Sequence, residues 1–494
     1  MTTRRAVRFV PGSLEEAGQA ATPAHATVSS GGLSPAGVSA PVDVSAADVV
    51  GVHEWLLAAG KPGGMRDQVG MLRALEDLAG GIAAVQAQLM VELDQSVRDQ
   101  AHQTVATAEA DPAGRSVPVT IRSTEREAAR SVRSEVALAL RVSPHRAGTL
   151  IGAAKMLHTE MPHTLAALRA GRLTQERAII LVRETACLEA EDRACVDADL
   201  CADPATLEGV GTRELEARAR KRAAELDPAA VVRRAAKAAK DRYVSIRPAP
   251  EAMVRLGALL PVAEGVRVYA ALKQAADAAR AGGTGDAEDG EGEGRSRGQV
   301  MADALVERVT GQEIADQVPV TVNLIVSDRT LLAAGHEPAV VADESGRGFG
   351  PVPAQVARNV VAAGLDADAA WLRAVYADPA GDLVAASSRQ RFFAGGLADL
   401  LRVRDQGICR TPWCDAPVKH LDHVVPVGAG GSTVLGNGQG LCEACNQTKE
   451  APGWKATTGT DPATGRHRVT TTTPTGLRYE SVAPPPPTPA RHAA

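Results

Sequence analysis

Between about residues 46 and 245 apolar side chains recur at steps of three and four. Met71, Leu72, Leu75 and Leu78 are followed by Ile82, Val85, Leu89 and Val91, the mark of a helix with an apolar stripe. Ser123-Thr-Glu-Arg-Glu, Ser143-Pro and Thr174-Gln-Glu-Arg read as helix starts, with a capping hydroxyl and a proline or acids in the first turn. From Val142 to Leu200 the pattern predicts short helices broken at Pro162 and Gly171, which bury their faces against one another. Strand-like alternation is rarer: Tyr243-Val-Ser-Ile, and a longer run from Val318 to Val326. A helix is expected around 260–280, ahead of an acidic, Gly-rich stretch at 281–298 read as a flexible loop within the domain. Residues 1–45, without periodicity, and the Pro-rich tail 481–494 are expected to be disordered. A boundary near 385–390 then leaves a mostly helical domain at 46–385 and a C-terminal domain at 386–480.

Composition sharpens this. The 494 residues have room for two or three domains, and 4 Trp, 4 Tyr and 4 Phe in an Ala-rich chain disfavour a β-sandwich. The fold class predicted is a mainly α N-terminal domain with a few strands, followed by a small C-terminal module. No apolar run approaches the ~20 residues of a membrane span, and no secretory signal is visible, so a cytoplasmic protein without membrane partners is expected. The net charge of -5 hides a local excess: residues 213–247 hold eleven Lys/Arg against five acids. Two readings stand for Arg218, Arg220, Lys221, Arg222, Arg233, Arg234 and Lys237: a solvated helix face with internal ion pairs, or a stripe that tracks nucleic-acid phosphates.

Of seven cysteines, Cys187, Cys195 and Cys201 lie in the helical region with irregular spacing and read as small buried apolar residues. Cys409, Cys414, Cys442 and Cys445 form C-x4-C and C-x2-C pairs, the spacing of a structural zinc site. Such a site contributes folding energy directly to a fragment too small to hold itself together. Trp413 and Trp454 flank it and are read as packing over its core. Residues 389–480 hold eleven Lys/Arg against eight acids, a mild positive excess that suits a duplex-contacting surface.

Between the cysteine pairs run His420-Leu-Asp422-His423, Pro426, Gly430-Gly431, Thr433 and Asn437, then Cys445-Asn446-Gln-Thr-Lys449. This order resembles the HNH endonuclease family over about 60 residues. The resemblance implies a zinc-stabilised ββα-metal module that hydrolyses DNA phosphodiesters. By resemblance, His423 is the general base, and Asp422 and Asn446 hold a catalytic Mg²⁺ or Mn²⁺. Asn437 orients the His423 ring through a backbone or ring contact, and Lys449 reaches a phosphate. His420, two residues before Asp422, is auxiliary. Asn446 stands where some relatives have His, a choice that suits a hard cation.

A second resemblance covers the helical region. The S-P helix start at Ser143, M-P-x-T-x-x-A-L-x-x-G-x-L-T from Met161, G-F-G-P-V-P from Gly348 and R-Q-R-F-F from Arg389 are similar to the helical domain of unknown function 222 of actinobacterial HNH proteins, the 13E12 repeat family. It implies no assigned activity; gripping DNA, binding a partner and forming a homodimer all remain open to it. The rival functional reading is a catalytically inactive, zinc-stabilised DNA-binding protein or mobile-element relic. Intact Asp422, His423, Asn437 and Asn446 favour the enzyme.

Overall fold

The computed structural model describes residues 7–10, 44–58, 60, 63–109, 121–282, 295–311, 323–342, 348–366 and 392–485. The helical domain opens with α1 (Ala46–Ala58) and the long α2 (Met65–Glu109), followed by α3 (Ile121–Leu140) and α4 (Pro144–Thr159). Then come α5 (Pro162–Arg169), α6 (Gln175–Thr185), α7 (Ala190–Cys201), α8 (Thr212–Leu226) and α9 (Pro228–Lys240). Ser143 and Thr174 cap α4 and α6 as the pattern predicts, each side chain accepting a first-turn backbone N–H. Ser123 lies inside α3, which starts two residues earlier at Ile121, and not at its start as the pattern predicts.

Two apolar clusters hold these helices together. Leu157, Met161, Leu168, Leu181 and Leu215 join α4, α5, α6 and α8. Met90, Val132, Val136, Leu150 and Ile151 join α2, α3 and α4. Burying side chains of this size is worth about 1.5–3 kcal/mol each. Cys201 is buried as expected, but Cys187 is half-buried and Cys195 exposed.

A hairpin of β2 (Tyr243–Ala249) and β3 (Met253–Leu259) follows, then the paired helices α10 (Val262–Gly282) and α11 (Arg297–Thr310). The middle of the expected acidic loop, 283–294, lies outside the described residues. Its last residues cap and start α11, through a Ser296–Gln299 capping box. A three-stranded antiparallel sheet of β4 (Asn323–Ile325), β5 (Ala339–Ala342) and β6 (Gly348–Val352) carries α12 (Asp328–Leu332) and α13 (Ala354–Asp366). Residues 318–322 of the expected strand and the expected boundary at 385–390 fall outside the described residues.

The C-terminal module comprises α14 (Gly395–Asp405), the hairpin β7 (His420–His423) and β8 (Gly438–Leu441), and α15 (Glu443–Lys449). A meander of β9 (Lys455–Thr460), β10 (His467–Thr472) and β11 (Arg478–Val482) completes it. The backbone of Val7–Val10, here β1, pairs antiparallel with β11, so the expected N-terminal disorder does not cover these four residues; the rest of 1–43 lies outside the described residues. The expected tail is shortened as well: Ser481 and Val482 belong to β11, and the Ala483 N–H donates to the His467 carbonyl at 2.8 Å.

Helix α3 lies against this module. The Trp454 indole N–H donates to Ser131 Oγ at 3.0 Å, the Ser134 and Thr448 hydroxyls are 3.0 Å apart, and the Thr475 backbone N–H donates to Glu135 at 3.2 Å. Trp454 therefore packs toward the helical domain, while Trp413 meets Tyr479 edge-on at 5.9 Å.

Candidate active site and metal centres

The site is a β7–β8–α15 unit. Alternation along β7 sends Asp422 and His423 to opposite faces, and the register sets them opposite Gln439 and Gly438. A side chain at 438 would collide with Leu401 and Phe393, so glycine is what lets α14 pack directly on the β8 backbone. A side chain at 431 would run into the Val425 carbonyl, and this glycine closes the loop that brings Thr433 back to the hairpin.

His423 is 7% exposed, with its ring 4.5 Å from that of Phe393. Its Nε2 lies 2.9 Å from the Thr433 hydroxyl, which leaves Nδ1 without a hydrogen-bond partner among the described residues. Burial lowers the His423 pKa, aided by the Lys449 ammonium and opposed by Asp422. A neutral imidazole at neutral pH results, the form a general base requires.

The residue that meets the ring is thus Thr433, whose place in the G-G-x-T loop was visible in the sequence but carried no role. Asn437 acts one step away. Its Oδ1 accepts from the Val425 N–H at 2.9 Å, its Nδ2 donates to the Val425 and Ser432 carbonyls at 3.0 and 2.9 Å, and its own carbonyl accepts from Val424. It holds the two chain segments that carry His423 and Thr433, which agrees with a backbone contact and not with a ring contact.

Lys449 does not project outward to a phosphate. Its Nζ turns inward, 2.9 Å from Asp422 Oδ2 and 3.0 Å from the His423 carbonyl, and also pairs with Glu450 at 2.6 Å. Even so, Asp422 Oδ2 and Asn446 Oδ1 are both buried without an aligned hydrogen bond. Buried oxygens rarely stay unsatisfied. A carboxylate and an amide oxygen in this state, on β7 and α15, fit a hard divalent cation that keeps part of its water shell. His420 sits exposed on the Asp422 face of β7.

The four cysteines converge behind the hairpin. Their sulfurs all lie within 4.8 Å of one another, and Cys414 Sγ is 3.8 Å from Cys442 Sγ. A tetrahedral site with zinc–sulfur bonds of about 2.3 Å has sulfur–sulfur edges of about 3.8 Å. Cys442 caps α15 and its sulfur accepts the Cys445 N–H, so the cysteine knuckle and the helix bearing Asn446 share one turn. The Cys409 sulfur, ahead of burial, holds the Cys414 and Cys445 thiols well above the usual range. Four thiolates share this volume only around a cation.

A buried ionic network beneath the site was not apparent in the sequence. Asp405 and Arg410 have fully buried side chains 2.8 Å apart, and Arg404 reaches Asp405 at 2.9 Å and the Gly438 carbonyl at 2.7 Å. Asp405 Oδ2 accepts the Gly440 N–H at 2.7 Å, while Arg410 donates to the Ser481 carbonyl at 2.8 Å. Burial would raise the Asp405 carboxyl, but the two guanidiniums overcome it and hold it well below the usual range. His467, bonded at Nε2 to the Gly436 carbonyl and Thr458, is pushed down to about 3 by burial and by Arg404 and Arg410. The network locks α14, β8 and the C-terminal meander together.

The basic stripe on α8 and α9 is largely paired with acids. Arg218 meets Glu214, Arg220 meets Glu184 and Glu216, and Lys221 and Arg222 meet Glu225. Arg222 also reaches Asp199 at 2.6 Å, Arg233 reaches Asp227 at 3.5 Å, and Arg234 donates to the Glu184 carbonyl at 3.1 Å. Lys237 has no ion pair among the described residues. The arrangement is that of a solvated face with internal pairs. No helix among the described residues is long and apolar enough to cross a membrane.

Two family models match the chain. One, described as Domain of unknown function (DUF222), covers residues 92–405; the other, HNH endonuclease, covers residues 408–451. No curated protein and no solved structure matches. The first match ends with α14, although Phe393, Leu397 and Leu401 pack on Leu435 of the C-terminal module.

Proposed function

We propose, for a chain that belongs to the DUF222 family and ends in an HNH endonuclease module, that it is a metal-dependent DNA endonuclease acting in the cytoplasm. The observation that carries this reading is that one ββα unit holds a buried imidazole whose pKa burial lowers and two buried oxygen acceptors, Asp422 Oδ2 ion-paired with Lys449 but without an aligned hydrogen bond and Asn446 Oδ1 without a hydrogen-bond partner among the described residues. Hydrolysis of a phosphodiester needs a base for the attacking water and a cation for the developing charge.

His423 Nδ1 takes the proton of a water whose oxygen attacks phosphorus as one phosphorus–oxygen ester bond breaks. Thr433 holds the ring through Nε2, so that Nδ1 faces the reacting water. Asp422 and Asn446 would hold a Mg²⁺ or Mn²⁺ ion, which when bound supplies charge stabilisation to the phosphate. Lys449 balances the Asp422 carboxylate when the ion is absent. Zn²⁺ at Cys409, Cys414, Cys442 and Cys445 is structural, since four thiolates close its coordination. His420, exposed on the same face as Asp422, is an auxiliary group near the substrate backbone. One such module cuts one strand, so double-strand cleavage takes two chains or two successive nicks.

A plasmid-nicking assay with Mg²⁺, Mn²⁺ or EDTA tests the reading. Wild type should nick with either ion and not with EDTA, and His423→Ala should be inactive while keeping its zinc and its affinity for DNA. A fully active His423→Ala protein removes the base assignment. A zinc-loaded wild type that binds DNA but never cuts it returns the chain to the non-catalytic class.

A further inference from the structure

Helix α2 has two faces of different character. From residue 80 onward, one face carries Ala83, Ala84, Ala87 and Met90 into the helical domain's core. Another face carries Met71, Leu75, Leu78, Ile82, Val85 and Leu89, between 40% and 58% exposed. Their spacing alternates strictly between four and three residues. A stripe that serves only its own domain has no need of a strict 3.5-residue period. That period is what two helices require to keep one seam in register.

The seam also extends beyond the domain that supports α2. Residues 65–76 are each exposed, a helical arm of about 18 Å at 1.5 Å per residue, and the domain takes hold of the helix at Asp77, whose backbone lies against Gly171. An isolated helix of this length is marginal in water, and its apolar residues form the kind of patch that marks an association surface.

We infer that this face of α2 is the seam of a two-stranded coiled coil with a second copy of the same chain. The residues bordering the seam decide for a second copy. Leu72, Ala74, Ala79, Gly81 and Gln86 carry no charge, so along this stretch two identical helices face each other without like-charge repulsion; at its end Gln88 is bonded to Arg169 at 3.3 Å and to Glu92 at 2.9 Å, charges of opposite sign. Helix α1 is a poorer occupant. Its thirteen residues reach about 20 Å against about 27 Å of seam, so it covers only part of the stripe. The seam lies before the first residue of the DUF222 match, and the inference is independent of the nuclease reading.

Sedimentation velocity on the full chain over a concentration series tests it. Wild type should sediment at twice its 51.1 kDa chain mass, and the double variant Leu78→Glu, Val85→Glu should sediment as a single chain. Both positions are exposed on the face away from the core, so circular dichroism and zinc content should not change. Mixing Leu78→Glu chains with Leu78→Lys chains should restore the dimer if the two helices run parallel, and mixing Leu78→Glu with Ile82→Lys chains if they run antiparallel. Removing residues 44–58 should leave the dimer intact. A wild type that stays monomeric, a dimer that survives the double variant, or a dimer that appears only once 44–58 is removed overturns the inference; the last outcome would make α1 the cover.

Discussion

The Ser134 hydroxyl of α3 lies 3.0 Å from the Thr448 hydroxyl of α15, deep between the helical domain and the nuclease module. Thr448 stands between Asn446 and Lys449, so the helix that presents both is braced by the neighbouring domain. With the contacts from Ser131 to Trp454 and from Glu135 to Thr475, one face of α3 makes a polar dock. Each net hydrogen bond is worth about 1 kcal/mol, and a buried donor left unpaired costs about 1–3 kcal/mol. Replacing Ser131 and Ser134 together with Ala should therefore destabilise the module by about 2–4 kcal/mol. Its unfolding transition should fall while that of the helical domain stays fixed. Equal shifts in both transitions would show that the dock does not brace the module.

Thr433→Val should remove the hydrogen bond that orients His423 while preserving size. A loss of about 1 kcal/mol in transition-state stabilisation slows single-turnover nicking by roughly five- to tenfold. Thr433→Ser should recover most of the rate. Because burial lowers the His423 pKa, activity should persist below the ordinary imidazole value of about 6.5 and fall only as the ring protonates at lower pH. An acid limb at or above that value would mean the ring is not shielded as described.

The two metals should separate cleanly. Cys442→Ser should release about one zinc ion per chain and unfold the module, since thiolate sites couple binding to folding. Asp422→Ala should keep zinc and fold and lose the response to Mg²⁺ or Mn²⁺. Lys449→Met should leave Asp422 without its counter-ion and tighten Mn²⁺ binding severalfold, read by calorimetry. Weaker Mn²⁺ binding in Lys449→Met would oppose the counter-ion role.

His467 makes the module acid-sensitive. Its folded pKa of about 3 lies below the ordinary value of about 6.5, so the unfolded chain binds the proton first. Stability is full above that ordinary value and is lost as pH falls from about 6.5 toward 3, by at most about 4–5 kcal/mol. The zinc-loaded His467→Gln protein should show a flatter pH dependence over that window. An unchanged slope would place the acid sensitivity elsewhere.

Replacing Arg233, Arg234 and Lys237 with Gln should leave DNA affinity and its salt slope unchanged, because most of the basic face already meets acids and exposed pairs contribute little. A slope flatter by roughly 0.9 per residue removed would instead assign those residues to phosphates.

The helical periodicity, the caps at Ser143 and Thr174, the cysteine pairs and the Asp422-His423 dyad were legible in the sequence, because each is a local pattern set by helix geometry or ligand spacing. What depended on chain segments meeting from afar was not. Spacing along β7 and α15 put Lys449 one turn beyond Asn446, but only the packed hairpin turned its ammonium onto Asp422. Thr433 was a letter in a loop until the fold over Gly431 brought its hydroxyl to His423. Asp405, Arg404, Arg410 and His467 share no periodicity, and their charges are tolerable together only once burial places two guanidiniums on one carboxylate. The apolar stripe of α2 shows the same division. Its residues and spacing are written in the chain, and the packing of the other face into the core decides that this one is left to meet a partner.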